Sequence, residues 1–265
     1  MTVRVTGGFK LTSPMIIGAV SAAVSAFGVE YGNWDGNRIV FSTTAEATGT
    51  TSYDGLDGFY DANTNRLYDG YMGSSTHAYR TGGYFQWGSK VTLPGSRVNG
   101  RSATVGYFNG NAYLYIGITT PAIDIYLLSD LSYVATWTLS GFTGQVTGLA
   151  YDGNGGMYAT SLDQKRTLYR IDTLEPITQT VTASVVLTSL PADTEFGLCY
   201  NGSTFLYRHR NASTGKIYEC NLSDGSLVQS YTVSTPGAYG ISLDYANKKL
   251  YSGGFNDTTM IRYGT

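Results

Sequence analysis

An all-β fold, a β-propeller, is predicted by three observations: a phrase that returns five times, the distance between its copies, and the turn signals inside each copy. Gly58-Phe59-Tyr60-Asp61 leads to Leu67-Tyr68, and Gly106-Tyr107-Phe108-Asn109 leads to Leu114-Tyr115. Gly148 to Asp152 leads to Met157-Tyr158, Gly197 to Asn201 leads to Leu206-Tyr207, and Gly240 to Asp244 leads to Leu250-Tyr251. The glycines stand 48, 42, 49 and 43 positions apart. A period of about 40–50 residues built from short strands is that of propeller blades.

The chain divides into residues 1–37, a closure strand and anchor segment, and 38–265, the propeller. Ser13-Pro14 is a helix start, with serine as cap and proline in the first turn. Ile16, Ile17, Val20, Val24 and Phe27 then recur at helical spacing, and Gly28 ends the run. This apolar stripe is a candidate assembly interface, with a helical lid over one end of the propeller and an extended segment as the alternatives. Arg4 and Lys10 before Met15–Val24 imitate a secretory leader, yet the stretch is too short and too rich in Gly, Ala and Ser to span a bilayer.

Phe27–Tyr31 followed by Arg38–Phe41 is a shortened sixth copy, so six blades are expected, with five as the alternative. In the third repeat the strands are Val146–Asp152, Met157–Ser161, Thr167–Asp172 and Ala183–Ser189, parted by Asp152-Gly-Asn-Gly-Gly156, Asp163-Gln164 and Thr173–Pro176. The fourth repeats the scheme, with Asp224-Gly225 as its last turn. The Leu-Tyr pair on each second strand puts one large residue on each side, as face-to-face blades require. The last repeat holds three strands and then stops at Thr265. Its open edge calls for a strand from the N-terminal part, Thr2–Thr6 or Arg38–Thr44.

Charged residues make up 14% of the chain, against about 25% in ordinary soluble domains, while Tyr (23) and Gly (34) abound. A net charge of −2 gives no electrostatic footprint for nucleic acid. Cys199 and Cys220 fall on the first and third strands of one blade, two strand spacings apart, which predicts two buried thiols and no disulfide.

No catalytic residue, metal ligand or cofactor is expected. His77 and His209, the two histidines, belong to separate blades, and no HExxH, GxSxG or phosphate loop occurs. Asp61, Asn109, Asp152, Asn201 and Asp244 end the first strands and are read as turn-closing side chains. The tyrosines are assigned to packing between blades. One place gathers like charge: Lys165 and Arg166 on one blade beside Arg208, His209 and Arg210 on the next, a candidate binding rim for an acidic group.

The phrase Gly148-Leu-Ala-Tyr-Asp-Gly, with Met157-Tyr-Ala-Thr and Thr167-Leu-Tyr-Arg-Ile-Asp172, resembles blades of the NHL, YVTN and gluconolactonase-like propellers. That resemblance implies the architecture. The gluconolactonase-like metal ligands are not placed residue by residue here, so that activity is not carried over. Low charge, abundant Tyr, Gly and Thr, and a non-repeat segment resemble the small propeller modules of bacteriophage tails. The expectation is therefore a non-enzymatic structural or adhesion component of a virion, located in the extracellular particle. Its expected partners are other virion proteins, further copies of itself as a homo-oligomer, and a cell-surface glycan, with no nucleic acid and no membrane span. A lectin-like propeller and a metal-dependent hydrolase or lactonase are the alternatives.

Overall fold

Alternation of apolar side chains over short runs, cut by Gly- and Asp-rich turns, produces strands throughout. The computed structural model describes residues 37–50, 55–61, 64, 66–71, 77–81, 90–94, 100–194, 196–209, 215–233, 240–245, 247–254 and 257–265. Among them there is no helix. The expected helical stripe Ile16, Ile17, Val20, Val24 and Phe27 lies outside the described residues, as does Thr2–Thr6.

The strands form five antiparallel, four-stranded blades. Blade 1 holds β2 (Gly55–Asp61), β3 (Arg66–Tyr71), β4 (Ala78–Thr81) and β5 (Lys90–Thr92). Blade 2 holds β6 (Gly100–Phe108), β7 (Asn111–Ile118), β8 (Ala122–Leu127) and β9 (Tyr133–Ser140). Blade 3 holds β10 (Val146–Tyr151), β11 (Met157–Ser161), β12 (Leu168–Ile171) and β13 (Thr180–Leu187). Blade 4 holds β14 (Phe196–Asn201), β15 (Thr204–His209), β16 (Gly215–Asn221) and β17 (Leu227–Val233). Blade 5 joins β18 (Gly240–Asp244), β19 (Lys249–Gly254) and β20 (Asp257–Tyr263) to β1 (Ala47–Thr50).

The innermost strands touch in cyclic order: β2 on β6, β6 on β10, β10 on β14, β14 on β18, and β18 back on β2. Among the described residues the innermost strands thus make a closed circuit of five. Arg38–Phe41, the second half of the shortened copy, is not a strand. It lies along blades 4 and 5 with Ile39 and Phe41 buried in their shared core.

Packing follows the strand pattern. Leu114 with Tyr115, and Leu206 with Tyr207, are adjacent on their strands and all fully buried. Both faces of these sheets are therefore covered, as blades packed on both sides require. At Gly148 a Cβ would stand 2.7 Å from Leu198 Cβ on the next blade, so only glycine permits this approach near the axis. Blades 2 and 3 are further joined at their outer edges, where Thr180–Thr182 of β13 pairs in parallel with Thr138–Ser140 of β9.

Closure comes from the N-terminal part, as expected, but through a different strand. β1 pairs with β20 from Ala47 opposite Arg262 to Thr50 opposite Thr259. Arg38–Thr44 instead runs in as a latch. The Arg38 guanidinium donates from Nε (2.6 Å) and Nη2 (2.7 Å) to both oxygens of Glu219 on β16. Asn201 accepts from Ile39 N–H and donates to Ile39 C=O, 2.9 Å each, as a neighbouring strand would. Glu219 is fully buried and also accepts from Asn201, Thr204 and Tyr231. That carboxylate hydrogen bond, with the negative charge behind it, raises the pKa of Arg38.

Two predictions follow from closure. Thr48 and Gly49 point their N–H groups in opposite directions, so proline at one removes a bond to β20 and at the other faces solvent. One of Thr48→Pro and Gly49→Pro is expected to lower the thermal midpoint by roughly 3–8 °C and the other to leave it nearly unchanged. Equal midpoints would mean β1 does not pair as described. Arg38→Met leaves Glu219 buried without its cation and should cost about 2–4 kcal/mol, while pairing it with Glu219→Leu should recover part of the loss. Denaturant melts of the single and double variants check this.

Candidate functional site

Strand β15 runs to His209, and its alternation divides the expected rim. Arg208 is fully buried and packs its guanidinium against Gly215, where a Cβ would stand 2.1 Å from Nη2. It faces the interior and adds nothing to an exposed rim. Lys165, half-exposed, reaches Asp193 Oδ2 at 3.6 Å. His209 Nδ1 lies 3.1 Å from the Asp193 carbonyl oxygen and its ring meets Tyr218 edge-on. Arg166 takes a positive φ of 65° and donates from Nε to the carbonyl of Leu190. Lys165, Arg166 and His209 therefore gather on the loop between β13 and β14, with Asp193 among them. Arg210 lies outside the described residues.

Buried polar groups serve the joints between blades. His77 in blade 1 donates from Nε2 to Asp124 Oδ2 in blade 2 at 2.9 Å, and Thr136 donates to the other oxygen. His209 stands on blade 4, so the two histidines are apart, as expected. Tyr115 O–H and Trp137 Nε1–H in blade 2 donate to Leu174 and Glu175 carbonyls in blade 3, at 2.7 and 3.1 Å. Cys199 and Cys220 are both buried and not joined, in accord with their strand positions. Strand-end acids close turns: Asp152 Oδ1 accepts from Asn154 and Gly156 N–H, and Asp244 accepts from Asn247 N–H. Asn201 does more, since it holds the latch.

One cavity, open on one side, lies on the propeller axis, with a volume of about 70 Å³. Val105, Leu149, Leu198 and Leu243, from four innermost strands, give it an aliphatic wall. Tyr151, Tyr200 and Tyr245, from blades 3, 4 and 5, join them. These rings are held from behind. Tyr200 stacks on Tyr158 at 5.8 Å, and the Arg170 guanidinium lies 4.8 Å over Tyr158. Arg170 is fixed in turn by Asp152 at 2.6 Å and Asp172 at 2.8 Å. Tyr151 packs against Tyr107, and Tyr245 O–H donates to the Tyr200 carbonyl. Burial pushes the Tyr151 phenol up to about 12 and raises Tyr200 and Tyr245 as well.

The assignment of most tyrosines to blade packing therefore holds for one set and not for another. Those of the second strands (Tyr68, Tyr115 and Tyr207) are fully buried between blades. Tyr151 and Tyr200, just ahead of the strand-end Asp or Asn, are half-buried at the axis. Their recurrence at one repeat position is the signal that separates them.

Among the described residues no three His, Cys, Asp or Glu side chains gather as metal ligands, and no helix is long and apolar enough to cross a membrane.

No protein-family model matches the sequence, and no curated protein matches it. The fold is similar to that of solved structures. Glutaminyl cyclase of Myxococcus xanthus superposes with a TM-score of 0.58 at 13% identity, over 83% of this chain and 94% of that one. The β-propeller domain of Cps50 (Swd1) from Myceliophteria thermophila gives a TM-score of 0.41 at 12% identity, over 78% and 69%. A chain of a mitotic checkpoint complex gives 0.44 at 14% identity, over 81% and 63%. At such identity the likeness to the glutaminyl cyclase concerns the fold alone.

Titration follows from burial. Burial also pushes the Cys220 thiol up to about 12. For Tyr151 and Cys220 the folded values exceed the unfolded ones, about 10 and 8.5. The neutral forms favour folding, so this stability is complete below about pH 8.5 and is lost as pH rises towards 12. Thermal midpoints are expected to fall steadily above about pH 9, with tyrosinate absorbance appearing together with unfolding. Tyrosinate forming in full while the fold persists would contradict the burial described.

Proposed function

We propose that this propeller is a non-enzymatic platform, a structural or adhesion component of a larger assembly and in particular of a bacteriophage virion tail. Its partners are neighbouring virion proteins, further copies of the chain among them. The observation carrying this reading is the outer rim of blades 3 and 4. Val185 and Val186 on β13 are 53% and 46% exposed, and Leu227 and Val228 on β17 are 49% and 38% exposed. The two pairs come from adjoining blades. Gly225, two residues before Leu227, packs against Leu187 and Leu190 at the end of β13. Neither outer strand carries a charge or a proline, the devices by which exposed edges are usually protected. Paired aliphatics on uncharged outer strands suit burial against another protein. From the sequence, the stripe of residues 16–27 supplies a second point of attachment.

The double substitution Val186→Lys with Val228→Lys tests this. The isolated chain is expected to melt within about 1 °C of the parent, because both side chains are solvent-facing. Incorporation into particles or oligomers, read by sedimentation, is expected to drop at least several-fold. Unchanged incorporation would remove the rim from the interface. The competing reading is catalysis, favoured by the likeness of the frame to a glutaminyl cyclase. Cyclisation of a glutaminyl substrate by the purified chain would overturn the platform reading.

A further inference from the structure

We propose that the axial cavity is a binding site for a small, neutral ligand carrying a single apolar or aromatic ring. This goes beyond the platform reading and rests on a separate part of the molecule.

Charge decides first. The side chains lining the cavity are aliphatic, small polar or tyrosyl, and none is ionised near neutrality. A charged ligand placed there would lose its hydration without gaining a counter-charge. The nearest carboxylate, Asp152, is committed to Arg170 and two backbone N–H groups.

Hydrogen bonding decides next. The polar side chains of the wall are already engaged inside the protein. Thr104 Oγ1 accepts from Tyr151 N–H at 3.2 Å, and the Tyr151 phenol accepts from Gly155 N–H. Tyr245 donates to the Tyr200 carbonyl, and the Tyr200 ring stacks on Tyr158. A sugar, with a hydroxyl on nearly every carbon, would leave its polar groups unmatched. An apolar ring asks only for contact.

Shape and rigidity complete the argument. The aliphatic wall of Leu149, Leu198 and Leu243 and the ring of Tyr200 come from three neighbouring blades. The chain Arg170, Tyr158, Tyr200 holds that phenol ring in place before any ligand arrives, so little ordering is required on binding. A volume of about 70 Å³ suits one ring rather than several linked ones.

Indole is the test probe, and the native chain carries its own reporter, because Cys199 lines the cavity while Cys220 is buried away from it. With indole at roughly ten times its dissociation constant, alkylation of Cys199 is expected to slow about ten-fold. Labelling of Cys220 should be much less affected. Methyl resonances of Leu149, Leu198 and Leu243 should shift with indole, and that of Leu227 on the rim should stay. Ser242→Leu, which places a larger side chain on the cavity wall, should abolish both effects. The methyl shifts in the parent chain keep the test decisive if this variant folds poorly. No shift at the three axial leucines overturns the proposal. So does equal slowing at both cysteines, which would report general stabilisation. Preferential protection by tetramethylammonium or methyl glucoside, with indole inactive, overturns the ligand class.

Discussion

The paired hydrogen bonds between Arg38 and Glu219 pin the N-terminal latch to blade 4 of a ring that shows no disulfide and no cluster of metal-binding side chains among the described residues. A propeller is a circle of sheets, and its first and last blades meet only if some segment bridges them. Here residues 38–50 make two strokes, of which only the second completes the last blade. The first lays Ile39 and Phe41 into the core shared by blades 4 and 5, with Arg38 and Asn201 fixing the register. The second turns the chain outward to pair β1 with β20. Lys249 donates to Glu46 at the bend (2.7 Å), an exposed contact that adds little by itself. The buried carboxylate matters more. Glu219 is tolerable in the core because Arg38, Asn201, Thr204 and Tyr231 together match its charge and lone pairs.

The same economy of charge runs through the other joints. In a chain that is 14% charged, the fully buried ionisable groups stand where elements meet. His77 and Asp124 join blades 1 and 2, and Glu219 joins blade 4 to the latch. Between blades 2 and 3 the joint is made by neutral donors, the Tyr115 hydroxyl and the Trp137 indole, with the parallel pairing of β9 and β13 outside them. Polar bonds of this kind are directional, whereas apolar packing between blades tolerates sliding. They fix the rotation of each blade against the next.

What was legible in the sequence was whatever repeats or acts locally. The strands of blades 3 and 4 lie within a few residues of the expected ones, because their turns are written in Gly, Asp and Asn. The two thiols followed from strand order alone. The closing strand was not legible: Ala47-Thr-Gly-Thr50 has no large apolar alternation, and its partner lies more than two hundred residues away in the sequence. Nothing in the sequence separates Arg208 from its rim neighbours His209 and Arg210, because the Leu206-Tyr207 phrase does not mark where the strand ends. β15 continues for two residues, and alternation turns that guanidinium inward. The axial cavity was hidden for a similar reason. Tyr151 and Tyr200 have the composition of packing residues, and only the convergence of several first strands on one axis exposes part of their rings.

Latch and cavity are neighbours in the chain, and this has an energetic consequence. Asn201, which binds Ile39, follows Tyr200 directly, and the Tyr200 carbonyl receives the hydroxyl of Tyr245 from blade 5. The wall of the cavity on blade 4 is thus held on one side by the ring of Tyr158 and on the other by the closure. Were the latch released, Tyr200 would lose the anchor that sets its backbone, and the alignment of blades 4 and 5 would loosen with it. A ring bound against Tyr200 favours the closed arrangement by its difference in affinity for the two, and the closed arrangement strengthens binding by the same factor. The proposed site thus shares blade 4 with the latch, and a substitution at Arg38, which does not line the cavity, is expected to weaken an occupant there to the extent that it loosens Tyr200.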